Sequence, residues 1–255
     1  MIEVKNVVKS FDGDVVLKGI SAVFESGKVN MIIGPSGSGK TVLLKSIIGL
    51  HRIDSGRIEY DSRNLPDMKM KEMRILRREV GMLFQGAALF DSMTVLENVM
   101  FPLEVFSKET PEENIERAKF CLYRVNLDED KFDLMPSEIS GGMQKRVAIA
   151  RAIALKPKYL FCDEPNSGLD PKTSLIIDEL IAEITHEYNI TTIVNSHDMN
   201  SIMQIGDNIV FIQDGEKVWH GTRKNIFHSD CKQLNNFVFA SDLFKEVKKT
   251  HDIAP

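Results

Sequence analysis

The sequence is poor in the residues that stabilise small secreted domains. It has one tryptophan and only three cysteines, Cys121, Cys162 and Cys231, in 255 residues. The cysteines are odd in number and form no C-x-x-C pair, which argues against a disulfide framework or a zinc site and favours a reducing compartment. Because Cys162 lies inside an apolar run, we expect it to be a small buried hydrophobic residue.

Long apolar runs and an excess of positive charge are also missing. No apolar stretch approaches the roughly 18 residues that a membrane-spanning helix requires. Residues 1–6 contain no basic segment followed by an apolar run, so we expect no signal peptide. The net charge of −5 gives no general attraction for nucleic acid, and we expect no nucleic-acid partner. Work at a membrane would therefore need another chain to do the spanning.

What the sequence does contain is a glycine-rich stretch, which runs Gly34, Pro35, Ser36, Gly37, Ser38, Gly39, Lys40 and Thr41. It fits G-x-x-x-x-G-K-[ST], in which backbone N–H groups surround phosphates, the lysine reaches the β- and γ-oxygens and the hydroxyl binds Mg²⁺. An apolar strand is predicted at residues 28–33 and a helix at 41–49. This order directs N–H groups and the positive end of a helix dipole at an anion. The alternative is a surface turn with a chance lysine.

Polar residues follow three other predicted strands. The strands are predicted at residues 79–84, 158–162 and 191–195. In open α/β sheets, ligands gather at the carboxyl ends of strands, so Gln85 and Asp163 would reach a nucleotide-bound Mg²⁺. Glu164 would accept a proton from the attacking water, and His197 would contact a terminal phosphate. The structural alternatives are a loop cap for Gln85, a salt bridge for the two acids and a packing role for His197.

Two further features are candidates for contact with a nucleotide. Ser140, Gly141 and Gly142 open a helix predicted at residues 143–155, and a serine cap followed by glycines forms an anion-binding helix end. An ordinary helix start is the alternative. Phe11 lies in a turn between two predicted strands, where it would either stack on a flat base or cover the edge of a sheet.

The surroundings of these motifs carry two further expectations. In the helix at 143–155, we expect the basic residues Lys145, Arg146 and Arg151 to lie outside the apolar face. The apolar run at 87–106 is interrupted by polar residues and by a proline. It is therefore either part of the core or a groove for a partner helix.

The alternation of strands and helices predicts an α/β fold with a mostly parallel sheet. Two strands predicted at residues 2–8 and 15–24 form an N-terminal antiparallel β subdomain. A helical segment at about 91–157 lies between strands of the sheet and is predicted to be an inserted α-helical subdomain. We expect residues 1–225 to form a single domain and residues 226–255 a C-terminal helical tail.

In this order the motifs resemble those of the ATP-binding-cassette (ABC) ATPases, over about residues 1–225. Gly34–Thr41 matches the Walker A loop, Gln85 the Q-loop, Ser140–Gln144 the signature, Tyr159–Glu164 Walker B, Ser167–Asp170 the D-loop and His197 the switch histidine. Phe11 stands where the family usually has an adenine-stacking tyrosine. The resemblance implies a P-loop NTPase (RecA-like) core, ATP and Mg²⁺ as cofactors, and ATP hydrolysis. It also implies a head-to-tail homodimer around two ATP, with Asp170 and the signature glycines contributing to the nucleotide sites.

Within that family, the segments Phe84–Val99 and Ser140–Arg146 look like the ATPase of Mla-type lipid transporters. This narrower resemblance implies phospholipid transport, an integral-membrane permease of the MlaE type that docks near residues 85–106, and an MCE-domain lipid-binding protein in the same complex. It also implies a location in the cytoplasm, peripheral on the bacterial inner membrane. The alternatives are an ABC ATPase for another substrate, a soluble cassette ATPase of the DNA-repair or translation type, and a regulatory subunit that binds nucleotide without hydrolysis.

Overall fold

The structure is a computed structural model that describes residues 1–240. The part of the predicted C-terminal tail from residue 241 onward lies outside the described residues. The strands are β1 (Ile2–Phe11), β2 (Asp14–Phe24), β3 (Val29–Ile33), β4 (Ser55–Tyr60), β5 (Arg63–Asn64), β6 (Val80–Leu83), β7 (Tyr159–Asp163), β8 (Thr191–Asn195), β9 (Asn208–Gln213) and β10 (Glu216–Gly221). The α-helices are α1 (Lys40–Ile47), α2 (Met70–Glu79), α3 (Val95–Phe106), α4 (Pro111–Arg124), α5 (Gly141–Ile153), α6 (Pro171–Glu187), α7 (Met199–Ile205), α8 (Arg223–Phe227) and α9 (Lys232–Val238).

The chain divides into two compact units. The first contains Met1–Asp67 and the chain from Asn195 onward, and the second contains Met68–Val194. The longest described helix, α6, has 17 residues, and no helix within residues 1–240 combines the length and the apolar character needed to cross a bilayer.

The first unit contains a four-stranded sheet in the order β2-β1-β4-β5, whose strand pairs are antiparallel. β1 and β2 are joined by Asp12 and Gly13, both with positive φ, as the tight turns of hairpins require. Along β1 the buried residues are Ile2, Val4 and Val7, and the alternation shifts at an irregularity in the pairing between Val4 and Val7. The predicted N-terminal antiparallel sheet is therefore present.

The first unit also contains the strand that precedes the glycine-rich loop. β3 pairs in parallel with β9, and β9 pairs with β10 in an antiparallel hairpin. Every residue of β3 is buried, as expected for a strand of a parallel sheet that is covered on both faces. β3 leads through the loop directly into α1. The loop therefore starts from one of the most constrained segments of the unit.

A polar network links strands of the first unit and runs from the buried Asn30 and Asn208 to the exposed His220. The Asn208 side-chain amide donates to Oδ1 of Asn30 (2.8 Å) and to the carbonyl oxygen of Val23 (2.9 Å). Nε2 of His220 lies 2.6 Å from Oδ1 of Asn208. Burial lowers the pKa of His220, and the charge of Lys217 lowers it further. Partial burial and the charge of Lys217 therefore favour a neutral imidazole in the folded protein.

The second unit contains β6, β7 and β8 in the order β8-β7-β6, with β6 and β7 parallel. Between β6 and β7 in the sequence lie α3, α4 and α5, which pack on one another. α3 and α4 begin at Thr94 and Thr110, whose side chains accept hydrogen bonds from the third residue of each helix, as in capping boxes. The predicted fold class, α/β with parallel strands, an antiparallel sheet and a helical segment, is confirmed. The short helix α7 and strand β5 were not predicted.

Candidate functional site

The glycine-rich loop follows β3 and has a backbone path that only glycine fits at its first position. Gly34 has φ of 150°, and a Cβ there would lie 2.0 Å from the carbonyl oxygen of Ile212. Gly39, with φ of 101°, is the N-cap of α1. The close approach and the left-handed backbone explain the glycines that the sequence pattern requires.

Lys40 lies inside the loop rather than in solvent. It is 7% exposed, and its Nζ donates to the carbonyl oxygens of Gly34 (2.8 Å) and Pro35 (3.0 Å). Within residues 1–240, the buried hydroxyl of Ser38 has no hydrogen-bond partner, and no side chain caps the start of α1. Because the first N–H groups of a helix have no intrahelical acceptor, the loop has a cation and several donors for an anion. This arrangement fits a nucleotide phosphate.

The hydroxyl of Thr41, a predicted metal ligand, is contacted by a residue that the sequence patterns missed. The Asn195 side-chain amide donates to Oγ1 of Thr41 (3.2 Å), and the next residue, Ser196, donates its N–H to the carbonyl oxygen of Ile32 (3.2 Å). Asn195 is fully buried at the end of β8. A polar residue that ends an otherwise apolar strand was the available signal. His197 follows two residues later and is exposed.

The side chain of Phe11 lies at the end of β1 and is 38% exposed. Its ring contacts the ring of His51 edge to face, with centroids 5.2 Å apart, and the Nζ of Lys9 lies 4.8 Å from its centroid. Burial is the main cause that lowers the pKa of His51, and the charges of Lys45 and Lys9 lower it further. Phe11 is thus a half-exposed aromatic residue, and its stacking on a base stays a prediction.

In the second unit, Asp163 and Glu164 follow the buried strand β7, as predicted. Asp163 is 9% exposed, whereas Glu164 is half-buried. Glu164 has φ of 48°, an uncommon value for a residue with a side chain, and its carbonyl oxygen accepts the N–H of Ser167 at 3.1 Å. A tight turn therefore changes the chain direction immediately after the strand, at the residue predicted to activate water.

Gln85 follows β6 and is exposed. Its side chain and its backbone carbonyl each form a hydrogen bond. Nε2 of Gln85 donates to Oγ of Ser167 at 3.2 Å, so the second unit brings the predicted Q-loop and D-loop together. The carbonyl oxygen of Gln85 accepts a hydrogen bond from Nζ of Lys145.

Two basic residues of α5, Lys145 and Arg151, are covered by other residues of the second unit, which the sequence patterns did not predict. Lys145 is 4% exposed, and Arg151 donates to the carbonyl oxygens of Ala87 (2.8 Å) and Ala88 (2.7 Å). Burial lowers the pKa of both basic side chains. Helical periodicity identified the apolar face correctly, but it could not show that residues 85–88 cover another face of the same helix.

The predicted signature residues lie at the start of α5. Ser140 is the N-cap and accepts the N–H of Met143 at 3.3 Å, and Ser140 and Gly141 are exposed. A Cβ at Gly142 would lie 2.6 Å from Cγ2 of Thr173, at the start of α6. The cap predicted from the sequence is present, and the role of these residues toward nucleotide stays a prediction.

Asp170 is the N-cap of α6. Its Oδ1 accepts the N–H groups of Lys172 and Thr173, both at 3.1 Å, and its Oδ2 accepts the hydroxyl of Thr173 at 2.5 Å. The bonds from Thr173 and Lys172 lower the pKa of Asp170. The carboxylate thus stabilises the helix start, and a contribution to nucleotide binding remains a prediction.

The apolar run at 87–106 is partly core and partly groove. Val95, Val99 and Leu103 of α3 are buried. Phe90 and Phe101 pack with ring centroids 4.7 Å apart. They line an open, largely apolar groove, together with Phe84, Ala88, Pro102, Arg151 and Leu155. The segment is therefore partly core and partly groove, and the binding of a partner helix in the groove stays a prediction.

Comparison with known proteins adds a consistent family match. A family model described as "ABC transporter" matches residues 17–167. The chain is 40% identical over 238 residues to the methionine import ATP-binding protein MetN of Clostridioides difficile, covering 93% of this chain and 74% of that protein. It is 36% identical over 259 residues to the phosphonates import ATP-binding protein PhnC of Wolinella succinogenes, covering 98% of this chain and 92% of that protein. It is 36% identical over 239 residues to the probable ribonucleotide transport ATP-binding protein mkl of Mycobacterium tuberculosis, covering 93% of this chain and 66% of that protein.

Solved structures show the same similarity. A dimeric ATP-binding cassette in a post-hydrolysis state, bound to ADP and Pi, matches with a TM-score of 0.79 and 34% identity, covering 88% of this chain and 99% of that one. The structure of cbiO1 from Clostridium perfringens, part of the ABC transporter complex cbiONQ, matches with a TM-score of 0.82 and 30% identity, covering 99% and 98%.

Proposed function

The chain belongs to the ABC transporter family as an ATP-hydrolysing subunit, and from this premise we propose which residues carry the reaction and what the transporter moves. The observation on which the proposal depends most is the glycine-rich loop, which closes around the Lys40 ammonium and leaves the start of α1 without a side-chain cap. Phosphoryl transfer to water needs charge neutralised and water oriented, with little covalent work by the protein. Lys40 and the loop N–H groups meet the first need.

Magnesium, when bound, would neutralise charge on the β- and γ-phosphates. We assign Thr41, Gln85 and Asp163 as the residues that hold it. Their hydroxyl, amide and carboxylate oxygens are the hard ligands that Mg²⁺ takes, beside phosphate and water. The contact from Asn195 to Thr41 and the burial of Asp163 at the end of β7 support the assignment, because both restrict the ligand side chains.

Glu164 polarises the attacking water and His197 orients it together with the γ-phosphate. The half-buried position of Glu164, immediately after β7, supports this role. In the proposed head-to-tail homodimer, Ser140, Gly141 and Gly142 close on the ATP of the other subunit. Support comes from the exposure of Ser140 and Gly141 at an N-terminal helix end, where an anion is favoured. Phe11 stacks on the adenine.

Replacement of Glu164 tests this mechanism. E164Q keeps the shape of the side chain and removes its basicity, so we expect kcat for ATP hydrolysis to fall about 100-fold or more. The variant should remain dimeric in MgATP, which light scattering after gel filtration would detect. E116Q, at an exposed position on α4, is the matched control. Hydrolysis by E164Q at the wild-type rate would refute the role of Glu164 as the base.

We further propose that a permease helix docks on the groove formed by Phe84, Phe90, Phe101 and Pro102. Apolar groove walls of this kind accept an amphipathic helix. With Cys231 replaced by serine, L89C and F90C should form crosslinks to a cysteine-scanned permease, whereas L175C on the exposed side of α6 should not. Failure of both groove positions to crosslink would contradict this docking site.

For the cargo, we propose phospholipid, moved together with an MlaE-like permease and an MCE-domain lipid-binding protein. The subunit would be held peripherally at the cytoplasmic face of the bacterial inner membrane. Support comes from the likeness of Phe84–Val99 and Ser140–Arg146 to Mla-type ATPases. The second candidate is another small substrate, because relatives are named for methionine, phosphonate and ribonucleotide transport.

One purification separates the two candidates. The tagged chain is isolated with its permease, and the complex is extracted for lipid mass spectrometry and assayed for ATPase stimulation. Enrichment of one phospholipid over the bulk membrane, with an MCE-domain protein in the complex, supports lipid transport. Stimulation by methionine, a phosphonate or a ribonucleotide, without lipid enrichment, supports the second candidate.

A further inference from the structure

Lys145 is a buried cation that the reaction as described above does not use. It lies in the second turn of α5, is 4% exposed, and its Nζ donates to the carbonyl oxygen of Gln85. Removing an ammonium group from water is unfavourable unless the group is paired and hydrogen-bonded. A neutral side chain of similar length would pack in the same place without that cost, so packing alone does not explain a lysine here.

Lys145 is also close enough to the end of β7 to respond to its charges. Burial lowers the pKa of Lys145, and the charges of Cys162 and Glu164 act in the opposite direction. Glu164 is the residue that we propose activates water.

The same lysine restrains the segment that contains Gln85. The Gln85 carbonyl is bound to Lys145, while its side-chain amide is bound to Ser167. Ser167 in turn donates its N–H to the carbonyl oxygen of Glu164 at 3.1 Å. Lys145, Gln85, Ser167 and Glu164 are thus joined by a chain of hydrogen bonds within the second unit.

We propose that Lys145 is a positioning residue for ATP hydrolysis, which holds the Gln85 backbone and, through Gln85 and Ser167, the turn that contains Glu164. It acts through these two residues and makes no contact with the nucleotide itself. The inference rests on the roles proposed for Gln85 and Glu164. It predicts that the charge at position 145 affects turnover more than binding or stability.

The test compares K145M, K145R and wild type, with K119M on α4 as the matched control. Met retains the apolar stem of lysine and removes the charge. Because small displacements of reacting groups are costly, kcat of K145M should fall about 10- to 100-fold. The Kd for a fluorescent ATP analogue and the melting temperature should stay close to wild type, since methionine fills the space of the lysine stem. K145R should recover part of the lost kcat, and K119M should match wild type.

Two outcomes would overturn the proposal. The first is a K145M enzyme whose kcat stays within about twofold of wild type. The second is a loss of kcat that accompanies a lower melting temperature and is not relieved in K145R, which would make Lys145 purely structural. The E164Q experiment is independent of both: if E164Q hydrolyses ATP normally, the proposed role of Glu164 fails, whatever K145M does.

Discussion

At the residue scale, the most demanding position is Gly34, where any side chain would meet the backbone of Ile212. This approach keeps the loop carbonyls of Gly34 and Pro35 close enough together to bind one ammonium group, that of Lys40. The cation is therefore positioned before any nucleotide arrives. Preorganised charge of this kind stabilises a transition state without reorganisation at the moment of reaction.

Replacement of Lys40 by methionine should remove that charge and leave the loop backbone largely intact. We expect kcat/KM for ATP to fall about 100- to 1,000-fold, the range found when one preorganised donor is removed from a site. Phosphate release and binding of a fluorescent ATP analogue measure the effect. K45M, one turn further along α1, is the control, and near-normal turnover by K40M would contradict the proposed role.

At the element scale, the start of α6 depends on Asp170. Its carboxylate accepts two backbone N–H groups and one hydroxyl, and it is the N-cap of a 17-residue helix. D170A should lower the melting temperature by about 2–4 °C, whereas D170N should retain most of the stability, because asparagine caps nearly as well. Thermal unfolding followed by circular dichroism measures the difference. Equal stability of D170A and wild type would argue against the cap.

The hairpin formed by β9 and β10 should make stability depend on pH. The pKa of His220 is lowered in the folded chain from its ordinary value of 6.5, chiefly by burial. Above about pH 7 the imidazole of His220 is neutral in both the folded and the unfolded chain. In that range it therefore adds no pH dependence to the stability of the fold. As pH falls below about 6.5, the unfolded chain binds the proton first, so the folded state loses stability.

This pH effect can be separated from other titrations by mutation. Between pH 7.5 and 5.5, the melting temperature of H220Q should fall less than that of wild type, because glutamine cannot take up the proton but can still bond to Asn208. H228Q, at an exposed position, is the control and should follow wild type. An identical fall in H220Q and wild type would exclude His220 as the source.

At the scale of the whole molecule, a head-to-tail dimer builds each ATP site from two chains, and complementation tests this. K40M and G141D should each be inactive alone, and a Cβ at Gly141 meets only Leu169, at 4.0 Å, so the fold tolerates the change. A heterodimer of the two would contain one intact site. Mixing equal amounts should therefore restore up to about a quarter of wild-type turnover. No recovery, with heterodimers demonstrated, would contradict sites shared between chains.

Much of the architecture was predictable from local patterns. The continuous apolar runs before Gly34 and Asp163 identified strands buried on both faces. The helix start at Ser140 followed from its capping side chain. Strand β5, with two residues, and helix α7, with seven, were too short to produce a periodic signal.

The sequence by itself determined the order of the chemical groups, since a phosphate loop, a strand-end carboxylate pair and a capped Ser-Gly-Gly helix are encoded locally by residue type and spacing. Only the tertiary structure decided which distant groups meet. It placed Asn195 against Thr41, Ser167 against Gln85, and Lys145 beneath the Gln85 carbonyl. The physical reason is that a helix period specifies one apolar face, whereas burial of a second, charged face depends on which segment of the chain folds over it.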